Sequence, residues 1–531
     1  MRTSSVPSPP QTIEALSTGR QYFPAISITA ITVSAAVLRL LYLTRKSFWL
    51  DEGVSVMISR LDWPNLLHIL WRREANMAFY YGLLRIWLHF GQGEFFVRSL
   101  SAIFSVAAIP VIYLLGKDLL GQRPGLIAAA LLAVHAWHIR YAQEARSYSL
   151  FFLLALLSSV FYLRGLRSST QGNWVSYVIF SALAIYSHFF AVLLVIAQWL
   201  AAYFFPRPAA RADFSRSLKI IGVLVLPLGV FIASRGLGPL NWIPRPGSAD
   251  LHRFALHLTG NGGNLLLLIY VASCGVAIAS GLTSWSVVAT TVDVLTRNAA
   301  AGRAFSRQTF ARQKSWESTW PYLFLLSWLL LPVVLTLGFS LIKSVFLPRY
   351  MFPCVAPLVL LAADGVARLR PRLLAVGVLL ALLAFSIRGT LAYYHADFDL
   401  AREDWRSATS YVLANALPSD GVIFHSAQAR MPFEYYAVSS PARQRIQMTF
   451  PSSGEKLTAQ DFLANAKNAD LSDLSSHYQR VWLVLAHNRL KYGEPDKTTE
   501  VVQNVLKKNF TQVMGKEFPG GIVVTLYRRE H

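Results

Sequence analysis

Apolar residues run along this chain in long blocks broken by short polar connectors, and neither the two-residue alternation of strands nor the narrow stripe of a soluble helix governs most of it. Blocks close to the roughly 20 residues that cross about 30 Å of hydrocarbon lie near 25–44, 98–116, 124–140, 148–164, 174–189, 190–206, 219–235, 264–283, 320–342, 348–366 and 372–391. That pattern predicts about eleven spans. Only a tight turn around His188 separates the fifth from the sixth. Residues 1–24 are polar, rich in Ser, Pro and Thr, and are expected to lack regular structure as a cytoplasmic tail. The first block has no convincing small-residue cleavage site and reads as a retained signal anchor.

The connectors are unequal. The first outer loop, about 45–97, carries Trp63, Leu66, Leu67, Leu70 and Trp71 at helical spacing, followed by Arg72, Arg73 and Glu74, which predicts a helix lying in the membrane interface. A second amphipathic piece spans 77–90. The loop 236–263 contains Pro239, Trp242, Pro244 and Pro246, then Gly260, Gly262 and Gly263, punctuation suited to a hinged lid. From about 395 the long apolar blocks stop. Val422-Ile423-Phe424, 481–485 and 522–527 read as strands, 403–416 and 497–509 as helices, and 451–477 as an exposed polar insertion. The expected fold class is an α-helical polytopic membrane protein of about eleven transmembrane helices, 25–391, with a small soluble α/β C-terminal domain, 392–531.

Composition sharpens this picture. Of 531 residues, 54% are hydrophobic and 15% charged, which excludes an ordinary soluble multidomain chain. The net charge of +22 lies scattered in connectors rather than in a stripe with stacking aromatics, so nucleic acid is not an expected partner. Cys274 and Cys354 provide neither a disulfide scaffold nor a thiolate cage. With the N-terminus inside, Lys117 and Arg123, Arg164 and Arg167, the cations of 207–219 and 297–314, and Arg368, Arg370 and Arg372 all fall on the inner side. An odd number of spans then puts the loop 45–97 and the C-terminal domain together on the outer side of a cytoplasmic membrane.

Candidate chemistry gathers at that outer side. Asp51 and Glu52 follow Phe48-Trp49-Leu50 just beyond the first block, where a charge pair meets water or a polar substrate instead of hydrocarbon. Asp51 is equally readable as the N-cap of a helix running through Val54 and Ile58. Glu144, flanked by Arg140, Gln143, Arg146, Tyr141 and Tyr148, stands at the outer end of the third span as either an ion-pair cluster or part of a site. His138 with Asp51 and Glu144 is a conceivable divalent-metal set, the rarer reading of a lone interfacial histidine. Arg349 opens the tenth span at its outer end and Lys343 sits just before it, and both read as snorkelling cations or as a phosphate clamp. Arg235, Arg245 and Arg253 are weaker candidates of that kind, and Arg39 sits within the first span near its outer end.

Arg39, Phe48-Trp49-Leu50-Asp51-Glu52, Phe79-Tyr80-Tyr81-Gly82, Arg98-Ser99-Leu100-Ser101 and Tyr141-Ala142-Gln143-Glu144-Ala145-Arg146-Ser147-Tyr148, in that order, resemble the polytopic membrane glycosyltransferases of the protein mannosyltransferase and aminoarabinose transferase type. The resemblance covers about 26–390 and implies the C-type glycosyltransferase fold, as in dolichyl-phosphate-mannose-protein mannosyltransferases. It implies a sugar donor on a polyprenyl phosphate, an acceptor hydroxyl on protein, lipid or glycan, and transfer on the outer face of the membrane. It makes Asp51 the general base, with Glu52 and Glu144 as accompanying acids. Asn76-Met77-Ala78 stands where many relatives have a His-Pro-Pro turn, a departure that bears on loop shape and acceptor.

Direct displacement at the anomeric carbon requires a base on the acceptor and charge stabilisation on the departing phosphate, so inversion is expected. In that scheme Arg349, Lys343, Arg146, Tyr148, Tyr81 and Arg39 bind substrate. Two other classes also fit many spans. A transporter or lipid flippase would place charges and helix breaks at mid-membrane, and a scaffold displaying the soluble domain would leave the three acids far apart.

Overall fold

The computed structural model describes residues 11–205, 207–236, 240, 242–297, 304–397, 402–450, 474–486 and 497–530. The first ten residues of the polar tail, Pro239 of the loop 236–263 and residues 451–473 of the expected insertion lie outside them. The chain divides into two compact units.

The first unit comprises Met1–Leu41, Ala102–Ala142 and Tyr148–Tyr394 and is helical. Among the described residues six helices are long and apolar enough to cross a membrane: Glu94–Leu120, Tyr148–Ser168, Asn264–Gly281, Thr319–Ser340, Pro348–Arg368 and Arg372–His395. Two bent pairs, Gln122–Ala133 with Ala136–Ala142 at 61° and Pro208–Leu224 with Leu226–Arg235 at 52°, raise the number to eight. Pro24–Leu40, Gln171–Ser187 and Ala191–Tyr203 are shorter helices under the remaining apolar blocks, so length and composition do not reach the expected eleven. His188 does break the chain, in extended conformation, between two of these. The tail differs from expectation, because helix already begins at Gln11.

A bend inside an apolar layer exposes carbonyls that must be satisfied by protein. At the first bend Arg39 does this: its Nη1 donates to Ala133 O at 2.9 Å and its Nη2 to Leu132 O at 3.2 Å. Thr390 Oγ1 donates to Val134 O at 2.8 Å. At the second bend Pro227 supplies no N–H, and Tyr186 OH donates to Leu224 O at 2.9 Å. Elsewhere close packing depends on small residues: a Cβ on Gly365 would lie 1.8 Å from Ser273 O, so only glycine permits the approach of these two helices.

The second unit comprises Tyr42–Ser101, Gln143–Ser147 and His395–His531. The expected boundary near 392 is therefore only part of the division, since the first loop and the Glu144 segment belong with the C-terminal domain. Its sheet has the order β2-β1-β3-β5-β4, with β1 (Asp420–His425) parallel to β2 (Ile446–Phe450) and β3 (Arg480–Leu485), and β5 (Ile522–Arg529) antiparallel to β3 and β4 (Phe510–Phe518). Alternation along β1 sends Val422 and Phe424 to a core with Trp405, Phe433 and Trp482, and Ile423 to the opposite core with Leu483 and Leu506. Helices Trp405–Asn415 and Arg430–Ala437 cover the first face and Lys497–Asn509 the second. Three strands and both long helices stand where the sequence predicts them. β4 escapes it because it is mostly exposed and carries no apolar run, and β2 is a further strand that the sequence does not predict.

Replacing Arg39 by Met is expected to orphan the bend's carbonyls and lower stability by about 1–3 kcal/mol for each group left unsatisfied. Thermal unfolding in detergent measures this, and an unchanged midpoint would refute the bracing role.

Candidate active site

The helix Leu50–Arg60 opens with Trp49 as N-cap in extended conformation, so Asp51 is the second residue of the helix and not its cap. Adjacent side chains diverge by about 100° around a helix, and Asp51 and Glu52 accordingly meet different surroundings. The Glu52 side chain is only 1% exposed, whereas that of Asp51 keeps 27% of its surface.

Both Glu52 oxygens are occupied. Arg98 Nε donates to Oε1 at 2.8 Å and Nη2 to Oε2 at 2.6 Å, and the Ala145 N–H reaches Oε1 at 2.8 Å. The Trp49 N–H approaches Oε2 at 3.4 Å. Arg98 spends its other donors on Leu43 O, Lys46 O and Ser47 O at 2.8, 2.7 and 3.1 Å. Burial holds the Glu52 carboxyl above its ordinary range, with Glu144 adding to the effect, and the Arg98 charge and its hydrogen bonds, with that from Ala145, oppose the shift without cancelling it. This carboxylate therefore ties the helix start, the chain entering it and the Gln143–Ser147 segment into one piece.

Asp51 faces Arg146, with Nη2 at 3.4 Å from Oδ2. The same guanidinium donates through Nη1 to Ser55 Oγ at 3.0 Å and to Asp51 O at 3.2 Å. Close by in the electrostatic sense is Glu74, which in the sequence is one more charge after the interfacial helix. Burial pushes its carboxyl up, Asp51 adds to the effect, and Arg146 and Arg73 oppose it. Tyr81 OH lies 3.5 Å from Glu74 Oε2, and burial raises the Tyr81 hydroxyl above its ordinary range. Glu144, buried, has Arg402 Nη2 at 3.2 Å from Oε1. Arg402 stands 258 residues away in sequence, and no local pattern points to it.

Thus the second unit brings together Asp51, Glu52, Glu144, Arg146 and Tyr81 of the expected site, and adds Glu74, Arg98 and Arg402. The other expected residues belong to the first unit. Arg39 is held at the bend, with His138 Nδ1 at 2.7 Å and Ser105 Oγ at 2.7 Å, and so braces the scaffold there. Tyr148 is buried against Tyr141 at 4.5 Å and His188 at 5.9 Å. Arg349 lies over the rings of Trp242, 5.5 Å, and Tyr350, 5.7 Å, and Lys343 is half-buried near it in sequence. Ser344 Oγ donates to Pro244 O at 2.6 Å, joining this stretch to the segment expected to form a lid, which itself contains the helix Ser248–Leu258. Among the described residues no three His, Cys, Asp or Glu side chains gather as a metal-holding group.

Residues 79–234 match the family model described as dolichyl-phosphate-mannose-protein mannosyltransferase. The matched stretch includes Arg98, Glu144 and Arg146 and begins after Asp51. No curated protein sequence matches the chain. The fold is similar to ArnT from Cupriavidus metallidurans in the apo state, with 13% identity, 94% of this chain and 97% of that one covered, and a TM-score of 0.56. The ArnT form bound to undecaprenyl phosphate gives the same identity and coverage and a TM-score of 0.54. The archaeal oligosaccharyltransferase AglB from Archaeoglobus fulgidus, in complex with an inhibitory peptide and a dolichol-phosphate, aligns at 12% identity over 96% of this chain and 75% of its own, with a TM-score of 0.49. The resemblance read from the sequence to membrane glycosyltransferases of the mannosyltransferase and aminoarabinose transferase type is met again in the family pattern and in the ArnT-like fold.

The unequal surroundings of the two adjacent acids predict unequal costs. Glu52→Gln leaves the Arg98 charge buried and is expected to destabilise by about 3–5 kcal/mol, while Asp51→Asn stays within about 0.5 kcal/mol of the parent. Denaturation of both variants in detergent checks the contrast, and equal losses would contradict it.

Proposed function

We propose that this chain is an integral-membrane glycosyltransferase that moves a sugar from a polyprenyl-phosphate donor to an acceptor hydroxyl, on the outer face of a cytoplasmic membrane. The observation that carries the reading is the asymmetry of the acidic pair: Glu52 is buried and consumed by Arg98, and Asp51 is the accessible carboxylate beside Arg146. The mannosyltransferase pattern over residues 79–234 and the likeness in fold to ArnT support the reaction class. That ArnT binds undecaprenyl phosphate supports a lipid-linked donor. The distribution of Lys and Arg among the connectors supports the orientation.

Asp51 takes the proton of the acceptor hydroxyl as that oxygen attacks the anomeric carbon. The bond to the donor phosphate breaks on the opposite side, so the configuration inverts. Arg146 holds the Asp51 carboxylate in place from its Nη2. Glu144 and Glu74 complete the acidic lining, and the Tyr81 hydroxyl keeps its proton in this setting because burial disfavours the phenolate. Negative charge grows on the departing phosphate and calls for cations. Arg349, already braced on Trp242, and Lys343 serve as the clamp. Bracing on an aromatic face limits the guanidinium's freedom before a ligand arrives.

Purified protein in nanodiscs, given radiolabelled polyprenyl-phosphate sugars and candidate acceptors, tests the assignment. Asp51→Asn is expected to lower transfer by about 100-fold or more, and full transfer by the folded variant would remove the general base. Arg349→Ala is expected to weaken donor binding by about tenfold, the worth of one charge-assisted contact; unchanged donor affinity and turnover would remove the clamp.

A further inference from the structure

The C-terminal domain has no part in the chemistry as just described, yet its residues Arg402 and Glu403 reach into the acidic corner. Arg402 pairs with Glu144 at 3.2 Å. The next residue, Glu403, is fully buried, and its Oε2 accepts the Leu50 N–H at 2.7 Å and the Trp405 Nε1–H at 3.1 Å. Its backbone carbonyl accepts Ser47 Oγ at 3.0 Å. The Leu50 N–H is one of the donors that a helix's first turn cannot satisfy internally, and Trp49, the N-cap, has no side-chain acceptor to give. A carboxylate from a distant part of the chain fills that role.

The geometry around this dipeptide leaves it little freedom. Gly520, at φ +85°, has no room for a side chain, because a Cβ would lie 2.3 Å from Glu403 Cα. The Asp404 N–H donates to Pro519 O at 3.0 Å. On the other side the Leu50 side chain packs against the core of the C-terminal domain, and Gly53 meets Pro432 so closely that a Cβ would sit 2.6 Å from its Cβ. The helix bearing Asp51 is thus seated on the domain along one face and pinned at its start by Glu403.

We propose that Arg402 and Glu403 are positioning residues, through which the C-terminal domain sets the places of Glu144 and Asp51. The proposal rests on the reading of those two acids as the reaction site. Neither positioning residue touches reacting atoms. Glu403 holds the N–H of Leu50, the residue immediately before Asp51, and Arg402 holds the carboxylate of Glu144. Errors of about 1 Å in such placement cost up to about 100-fold in rate while leaving binding of remote parts of the substrate intact.

The test uses the full chain in nanodiscs with four variants: Glu403→Met, which removes the acceptor; Glu403→Gln, which keeps one; Arg402→Met; and Arg402→Lys. The Met variants are expected to lower kcat by about tenfold or more, with donor KM within about twofold, and the Gln and Lys variants to recover most of the loss. Hydrogen exchange is expected to rise at residues 50–56 for Glu403→Met and at 143–147 for Arg402→Met, with exchange in the sheet unchanged. A fall in kcat that only tracks the folded fraction, or unchanged exchange at both segments, would overturn the proposal. If wild type itself transfers no sugar from any polyprenyl-phosphate donor, the glycosyltransferase reading fails, and the exchange measurements still decide the positioning.

Discussion

The buried ion pair between Glu52 and Arg98 is the constraint on which the acidic corner depends. Two charges taken out of water cost several kcal/mol each, and that cost is offset only where every lone pair and proton finds a partner. Here the condition is met: Glu52 has two bonds from Arg98, one from the Ala145 N–H and a longer one from the Trp49 N–H, and Arg98 reaches three carbonyls of the chain leading into the helix. Three stretches distant in sequence are thereby fixed together, and the neighbouring Asp51, partly exposed, faces the guanidinium of Arg146. A buried acid, held on all sides, thus stands next to one that keeps part of its surface exposed.

The same economy of polar groups governs the membrane part. Helices that bend within an apolar layer must bring their own donors and acceptors, and Arg39, Thr390 and Tyr186 do so at the two bends. A cation inside an apolar block reads as functional in a sequence because its partners are invisible there. Arg39 donates to the carbonyls of Leu132 and Ala133, which lie more than ninety residues away, and its charge faces His138 and Ser105.

The C-terminal domain contributes more than an appended sheet. Residues 402–406 supply Arg402 to Glu144, Glu403 to the Leu50 N–H and Arg406 to Glu94, and Tyr436 OH accepts from the Phe48 N–H at 2.7 Å. Opposite charges in consecutive positions thus address the two segments that carry Asp51 and Glu144.

The sequence by itself determined the class of the molecule, because apolar block length and the placement of Lys and Arg are set by the hydrocarbon layer whatever the tertiary arrangement. It also marked Asp51, Glu52, Glu144, Arg146 and Tyr81, since acids and aromatic hydroxyls at block ends stand out against apolar surroundings. Strands β1, β3 and β5 were legible from buried β-branched runs, and β2 and β4 were not, because half-exposed strands lack that signature. Only the tertiary structure decided which acid is buried and which is accessible, that Trp49 and not Asp51 caps the helix, that Glu74 lies within the electrostatic reach of Asp51, and that Arg402 and Glu403 meet Glu144 and the Leu50 N–H. Those outcomes depend on partners tens to hundreds of residues away, and burial and charge pairing are properties of neighbours in space that no local pattern along the chain encodes.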